Sequence, residues 1–333
     1  MTRREFVGSA SVAAMQGSRR SGLGLSPDCF VIARPPRTAL EYLDKAASAG
    51  AAGVQSALAS HDAEYLKKVR ATLEQRGMYL EIATRLPGED TSEFEATVKS
   101  AKEAGAECLR SVCLSGRRYE TFNTLEEWEA FVADSRAKLA RAVKIVERHR
   151  FPLGLENHKD WTIEEMVPLL KGYSSEYLGA CIDFGNNMSL LDGAEELVEA
   201  LAPFVVNTHI KDMAVEEYED GFLLAEVALG RGIVDLKRCV AAVRRVKPKV
   251  RFSLDMLTRD PLKIPCLTEK YWVTFTERNG RHLARALAEV RKKKGASPLA
   301  RVTGLDRGMQ LKAEFENVTV SVAYARDQLG IFA

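Results

Sequence analysis

The sequence predicts an α/β protein, a (β/α)8 TIM barrel with a C-terminal helical extension. Two patterns lead to it. Short apolar runs alternate with longer segments of helical period from residue 22 onward, as in repeated βα units around a parallel sheet. Eight runs and eight helical segments follow one another between residues 22 and 295, close to the roughly 250 residues of such a barrel. A third observation counts against a doubly wound open sheet, which carries a glycine-rich turn after its first strand. Here GLGLSP leads into Pro27 and no helix.

In chain order the strands are expected at 22–25, 53–58, 79–84, 108–114, 152–156, 178–184, 205–209 and 250–256. Between them, TALEYLDKAASAG closes on Gly50 and HDAEYLKKVRATLEQRG on Gly77, each glycine supplying a left-handed helix stop. TSEFEATVKSAKEAG opens on the Ser92-x-x-Glu95 spacing of a capping box and closes on Gly105. LEEWEAFVADSRAKLARAVKIVERHR is the fourth helix, and TIEEMVPLLKG, GAEELVEALAP, VDLKRCVAAVRRV and RHLARALAEVRKKK complete the set. The run from Arg291 to Lys294 lies at a helix C-terminus, where cations are favoured, and reads as a solvated helix end. The domain thus covers residues 21–295. The tail over 296–333, with LKAEFENVTVSVAYARDQLG, reads as an extra helix packed on the barrel or on a neighbouring subunit.

Composition narrows the function classes. With 46% hydrophobic and 28% charged residues the chain is ordinary globular protein. A net charge of +2 gives no global field for nucleic acid or an anionic membrane. No apolar run approaches the ~20 residues of a membrane span. The six cysteines are scattered without a C-x-x-C pair, so they read as reduced, with neither a disulfide framework nor a zinc knuckle.

Active sites of such barrels sit at the C-terminal ends of the strands. Strand five ends in Glu156 within LGLENH, strand six in Asp183 within CIDFGN, strand seven in His209 within NTHIKD, and the last carries Asp255 within FSLDML. Asp183 alone reads as a turn former, and His209 alone as a satisfied core histidine. Four such residues on successive strands read differently, because three carboxylates aimed at one mouth repel unless a cation sits among them. An oxygen-rich set with one imidazole suits one divalent ion, Mn²⁺, Mg²⁺ or Co²⁺. Around this set, His158, Asn186, Lys211 and Arg110 are candidate substrate-binding residues. Arg85 also falls near a strand end, while Glu81 is expected inside its strand and Trp161 in the core.

These motifs, with the Gly-x-Gly of ALGRGIVDL, resemble the xylose-isomerase-like barrel superfamily, which includes sugar phosphate isomerases and epimerases. MLTRDPLKIPCLTEKYW resembles a subgroup of exported members. The resemblance implies proton transfer beside the carbonyl of a small sugar or keto-sugar, through a metal-stabilised enediolate. Glu156 and Asp255 would be the acid/base pair, and Asp183 and His209 further ligands. Three departures are visible. Asp255 stands where ketose epimerases have glutamate, Asn186 where they carry a histidine, and no arginine closely follows His209. Dehydration, decarboxylation of a 3-keto acid and cleavage of a 3-keto-glycoside are therefore open to the same site. An endonuclease IV-like nuclease would need more histidines than these five and a basic groove. A non-catalytic sugar-binding subunit would be expected to have lost a ligand. The expected partner is a sugar, with no nucleic acid and no membrane; a homo-oligomer, dimer or tetramer, is left open.

The N-terminus, MTRREFVGSASVAAMQG, resembles a twin-arginine export signal through Arg3, Arg4 and Phe6. The resemblance implies a protein exported folded to the periplasm, with residues 1–20 as the signal segment. A cytoplasmic location, with these residues as a plain tail, is the alternative.

Overall fold

A computed structural model describes residues 21–332. The expected export signal over 1–20 lies outside the described residues.

The strands are β1 (Leu23–Leu25), β2 (Gly53–Ser56), β3 (Tyr79–Ala83), β4 (Cys108–Ser111), β5 (Leu153–Glu156), β6 (Leu178–Asp183), β7 (Val205–Ile210), β8 (Asp212–Tyr218), β9 (Gly221–Val227), β10 (Phe252–Leu254) and β11 (Leu262–Ile264). Eight of them close a parallel barrel in the order β1-β10-β7-β6-β5-β4-β3-β2, and these are the eight expected from the sequence. All residues of β5 and β6 are buried, as expected of strands covered on both faces. The registers bring Asp183 beside His209, and His209 beside Ser253. Groups at the ends of β6 and β7 therefore stand at one height.

The other three strands were not foreseen. β8, β9 and β11 form a separate antiparallel sheet, in the order β11-β9-β8. It rises directly from the end of β7, since β8 begins at Asp212, two residues after Ile210.

The helical ring also differs from expectation at its closure. RHLARALAEVRKKK forms a helix over Gly280–Lys293, but it packs on β8 and β9. The place beside β1 is taken by the C-terminal helix Arg307–Asp327. Val322 lies by Gly50 at the end of the first helix, and Ser321 Oγ accepts from Leu229 N at 3.1 Å. Glu314 accepts from Ile32 N at 2.6 Å and Ala33 N at 2.8 Å, tying this helix to the segment after β1. The helix over 280–293 has one fully buried side chain, Val290. The C-terminal one buries Val318, Ser321, Val322 and Ala325, a smooth face that lies close against a barrel strand. The tail packs on the barrel and completes its outer layer.

The third helix spans Ser92–Ala104 without the expected capping box. Asp90 accepts from Ser92 N at 2.9 Å instead. Glu95 is drawn to His149 at 2.8 Å and Arg148 at 3.1 Å, so it does not turn back on its own helix end.

Candidate active site

Glu156, Asp183 and His209 are the last or near-last residues of β5, β6 and β7, and Asp255 follows β10 directly. The structure brings all four together. His209 Nδ1 lies 3.3 Å from Glu156 Oε2, 3.8 Å from Asp255 Oδ2 and 3.9 Å from Asp183 Oδ2. All are buried, Asp255 being the most accessible at 6%.

Each ligand candidate is held from behind. Gln55 on β2 donates its amide nitrogen to Glu81 at 3.1 Å. Its oxygen is thereby left to accept from His209 Nε2 at 2.9 Å. That bond fixes the imidazole and turns Nδ1 toward the carboxylates, the usual arrangement behind a metal-bound histidine. Asp183 uses Oδ1 to accept from Gly185 N at 2.9 Å and Asn186 N at 2.7 Å. Ser26 donates to Asp255 Oδ1 at 2.7 Å. Asn157 bridges β5 to β6, accepting from Asp183 N and donating to Asp183 O, both at 2.9 Å.

Two atoms of this four-residue set make no hydrogen bond, Asp183 Oδ2 and His209 Nδ1. Each has only a charged neighbour, Lys211 beside Asp183 Oδ2 and Glu156 beside His209 Nδ1. The two atoms lie 3.9 Å apart, and buried polar atoms without hydrogen bonds call for an explanation such as an ion. Asp183, His209 and Asp255 offer atoms within 4.8 Å of one another, close enough for bonds of roughly 2–2.6 Å to a shared cation, and Glu156 joins them through His209. The oxygen-rich donor set fits a hard divalent ion. Cys181 is also close to Glu156 and His209, but burial, with Glu156 beside it, pushes its thiol well up, which leaves it a poor ligand for such an ion.

Burial pushes the Asp183 carboxyl up, while the other three groups are shifted toward their charged forms. Burial opposes charge on every one of these groups, yet Arg110 and then His209 hold Glu156 well below the usual carboxylate range. Lys211 and then His209 do the same for Asp255. Burial lowers the His209 pKa, but Glu156 and Asp255 draw it up to about 9. The negative potential behind that rise also favours a dication. Lys211 shares the same oxygens, lying 2.6 Å from Asp255 Oδ2 and 3.1 Å from Asp183 Oδ2. An ion held by these groups would therefore meet the Lys211 ammonium.

The other predicted residues sort by position. Arg110 pairs with Glu156 through Nε and Nη2. The Asn186 amide is fully used, with Nδ2 on Glu156 Oε1 at 3.1 Å and Oδ1 receiving both Lys159 and Lys211. Both residues hold the carboxylate set together, and neither is on the cavity wall. Lys211 and His158 are on that wall, and His158 Nδ1 bonds the Leu114 carbonyl at 2.9 Å. Glu81 lies inside β3, and Trp161 packs with Trp128 and Phe131 in the core. Arg85 is exposed and away from the site.

Above the carboxylates opens a cavity of about 410 Å³, walled by His158, Lys159, Lys211, Glu226, Asp255 and Arg259 among others. Lys159, Glu226 and Asp28 are wall residues that sequence reading missed. Burial and the Asp255 carboxylate raise Asp28 to about 7. Glu226 arrives on the unforeseen sheet, whose hairpin turns at Glu219 and Asp220; the Asp220-Gly221 pair there is a hairpin signal present in the sequence.

A parallel barrel that gathers acids and an imidazole at its strand ends, beneath a cavity, has the architecture of a barrel enzyme. The chain belongs to the xylose isomerase-like TIM barrel family, which it matches over residues 43–284. Among solved structures it resembles D-psicose 3-epimerase determined in the presence of D-fructose. That match has 13% identity, a TM-score of 0.59 and coverage of 93% of this chain and 99% of the other. It also resembles a xylose isomerase-like TIM barrel protein from Mycobacterium smegmatis in complex with magnesium, at 14% identity and a TM-score of 0.55, covering 80% and 98%. At such identities the likeness is one of fold. A curated relative, 3-oxo-isoapionate decarboxylase of Pectobacterium atrosepticum, is 27% identical over 172 residues, 51% of this chain. The chain spans 58% of the length of that relative.

Proposed function

We propose that the protein is a metal-dependent enzyme of the isomerase or epimerase type, moving a proton beside the carbonyl of a small sugar or keto-sugar. The observation that carries this reading is the convergence of Glu156, Asp255 and Asp183 around His209, with Asp183 Oδ2 and His209 Nδ1 making no hydrogen bond. These four would hold one divalent ion. When bound, the ion would polarise the carbonyl and offset the charge of the enediolate. Of the four, Asp255 is the one on the cavity wall, where it can exchange a proton with substrate. Glu156, kept ionised by Arg110, is the second member of the acid/base pair. Asn186 donates to Glu156, and Lys211 pairs with Asp255. A second reading, decarboxylation of a keto acid, is favoured by the curated relative and would use the same enediolate.

The test joins metal analysis of protein purified without chelator to a deuterium-exchange screen on ketoses and 3-keto-sugars. The expected result is a near-stoichiometric divalent ion and exchange at the carbon next to the carbonyl. Glu156→Gln and Asp255→Asn should each slow exchange by about 10²-fold or more. Wild-type protein that binds no divalent ion and exchanges no candidate would overturn the reading.

A further inference from the structure

Lys159 is a buried cation that the site leaves without an acid. Its side chain lines the cavity although the residue is only 5% exposed. Its ammonium donates to the neutral amide oxygen of Asn186, and no carboxylate of the described residues is within ion-pair reach. Every other cation of the same wall is paired. Lys211 has Asp255 and Asp183, Arg259 has Glu226 at 2.9 Å, and Arg117 has Glu120. The backbone of Lys159 is left-handed, with φ of 66°. A lysine adopts that conformation only at some cost, and such outliers concentrate at functional sites. Burial, and then the nearby Lys211, lower its pKa to about 8, so the ammonium still keeps its proton at neutral pH. Burying an unpaired charge is unfavourable, and a partner brought by the ligand would relieve it.

We propose that Lys159 receives a carboxylate on the substrate, so that the keto-sugar taken by this site is a sugar acid. This rests on reading the site as a sugar-transforming one. The match is one charge to one charge. A phosphate monoester, carrying about −1.5 to −2 near pH 7, would leave negative charge unpaired in the cavity. Beside Lys159, His158 has spent Nδ1 on the Leu114 carbonyl, and its Nε2 is left to accept from a substrate hydroxyl.

Three probes that differ at one carbon decide it: D-glucuronate, D-glucose and D-glucose 6-phosphate, titrated calorimetrically into the manganese-loaded full chain. Glucuronate should bind about tenfold or more tighter than glucose, and glucose 6-phosphate no tighter than glucuronate. Lys159→Met should bring glucuronate down to the level of glucose titrated into the same variant, with manganese content measured alongside to show that the site still loads. Lys159→Gln keeps a donor for Asn186 and serves if the Met replacement fails to fold. Equal wild-type affinities for glucuronate and glucose, or a preference for the phosphate, would overturn the proposal. So would a glucuronate advantage that survives both substitutions, which would put the carboxylate on the metal instead. Binding is read here without turnover, so this failure stays distinct from an absence of exchange on keto-sugars.

Discussion

Asp183 divides its two oxygens between two roles. Oδ1 shapes the turn after β6 through Gly185 and Asn186, while Oδ2 has no hydrogen bond and faces His209. Turn former and ligand candidate, alternatives when read from sequence, are both compatible with one carboxylate. Lys211 bears on the same oxygen, and its position makes a prediction. An ammonium and a dication near the same oxygens repel by several kcal/mol even at an effective dielectric of about 20. Lys211→Met should therefore tighten manganese binding by about tenfold or more, measured by titration. The metal-free variant should melt lower, because removing one partner of a buried ion pair costs roughly 3–5 kcal/mol, and manganese should restore it. Weaker manganese binding would show that Lys211 instead holds the carboxylates in place for the ion. The four strand-end residues were legible because a charge closing a buried apolar run is conspicuous in one dimension. Lys159 was not, since neither its left-handed backbone nor its burial shows in a one-dimensional pattern.

At the scale of elements, the Gly-x-Gly of ALGRGIVDL and the aspartate of THIKD turn out to form one structure. The Asp212 carboxylate accepts from Met213 N at 2.9 Å, Gly230 N at 3.0 Å, Gly232 N at 2.9 Å and Val234 N at 3.1 Å. This anchors the far end of the β8–β9 hairpin to the end of β7, and so places Glu226 and Lys211 over the site. Gly232 is needed for the approach, because a Cβ there would stand 2.2 Å from Asp212 Oδ1. Gly232→Ala should break several of these charge-assisted bonds, each worth about 1.5–3 kcal/mol, and lower both the melting temperature and manganese affinity. Gly88→Ala, where an added Cβ meets nothing within 4 Å, is the control. A Gly232→Ala protein that melts with wild type would remove the anchoring role from Asp212. The sequence motif was visible as a pattern, but its partner lies some twenty residues back, a pairing that periodicity does not reveal.

For the molecule as a whole, the barrel was legible because strands buried on both faces stand out as apolar runs between helical periods. The order in which helices cover them was less so. The helix over 280–293 and the helix over 307–327 both carry plausible apolar positions, and only packing decides which one lies on β1. That choice has a consequence for truncation. If the tail were a peripheral addition, a chain ending at Ser297 would keep its barrel. As the ring's closing helix, the tail buries Val318, Val322, Leu329 and Ile331, each worth roughly 1.5–3 kcal/mol. Together these approach the whole of a typical stability of about 5–15 kcal/mol. Its loss would also free Ile32 and Ala33 from Glu314, beside the 3-10 turn Pro27–Phe30 that places Asp28 in the cavity wall. The shortened chain should therefore lack a cooperative thermal transition by circular dichroism and fail to bind manganese. If it instead melted cooperatively within a few degrees of the full chain, the barrel would be complete without its last helix, and the eighth position would have to be filled from elsewhere.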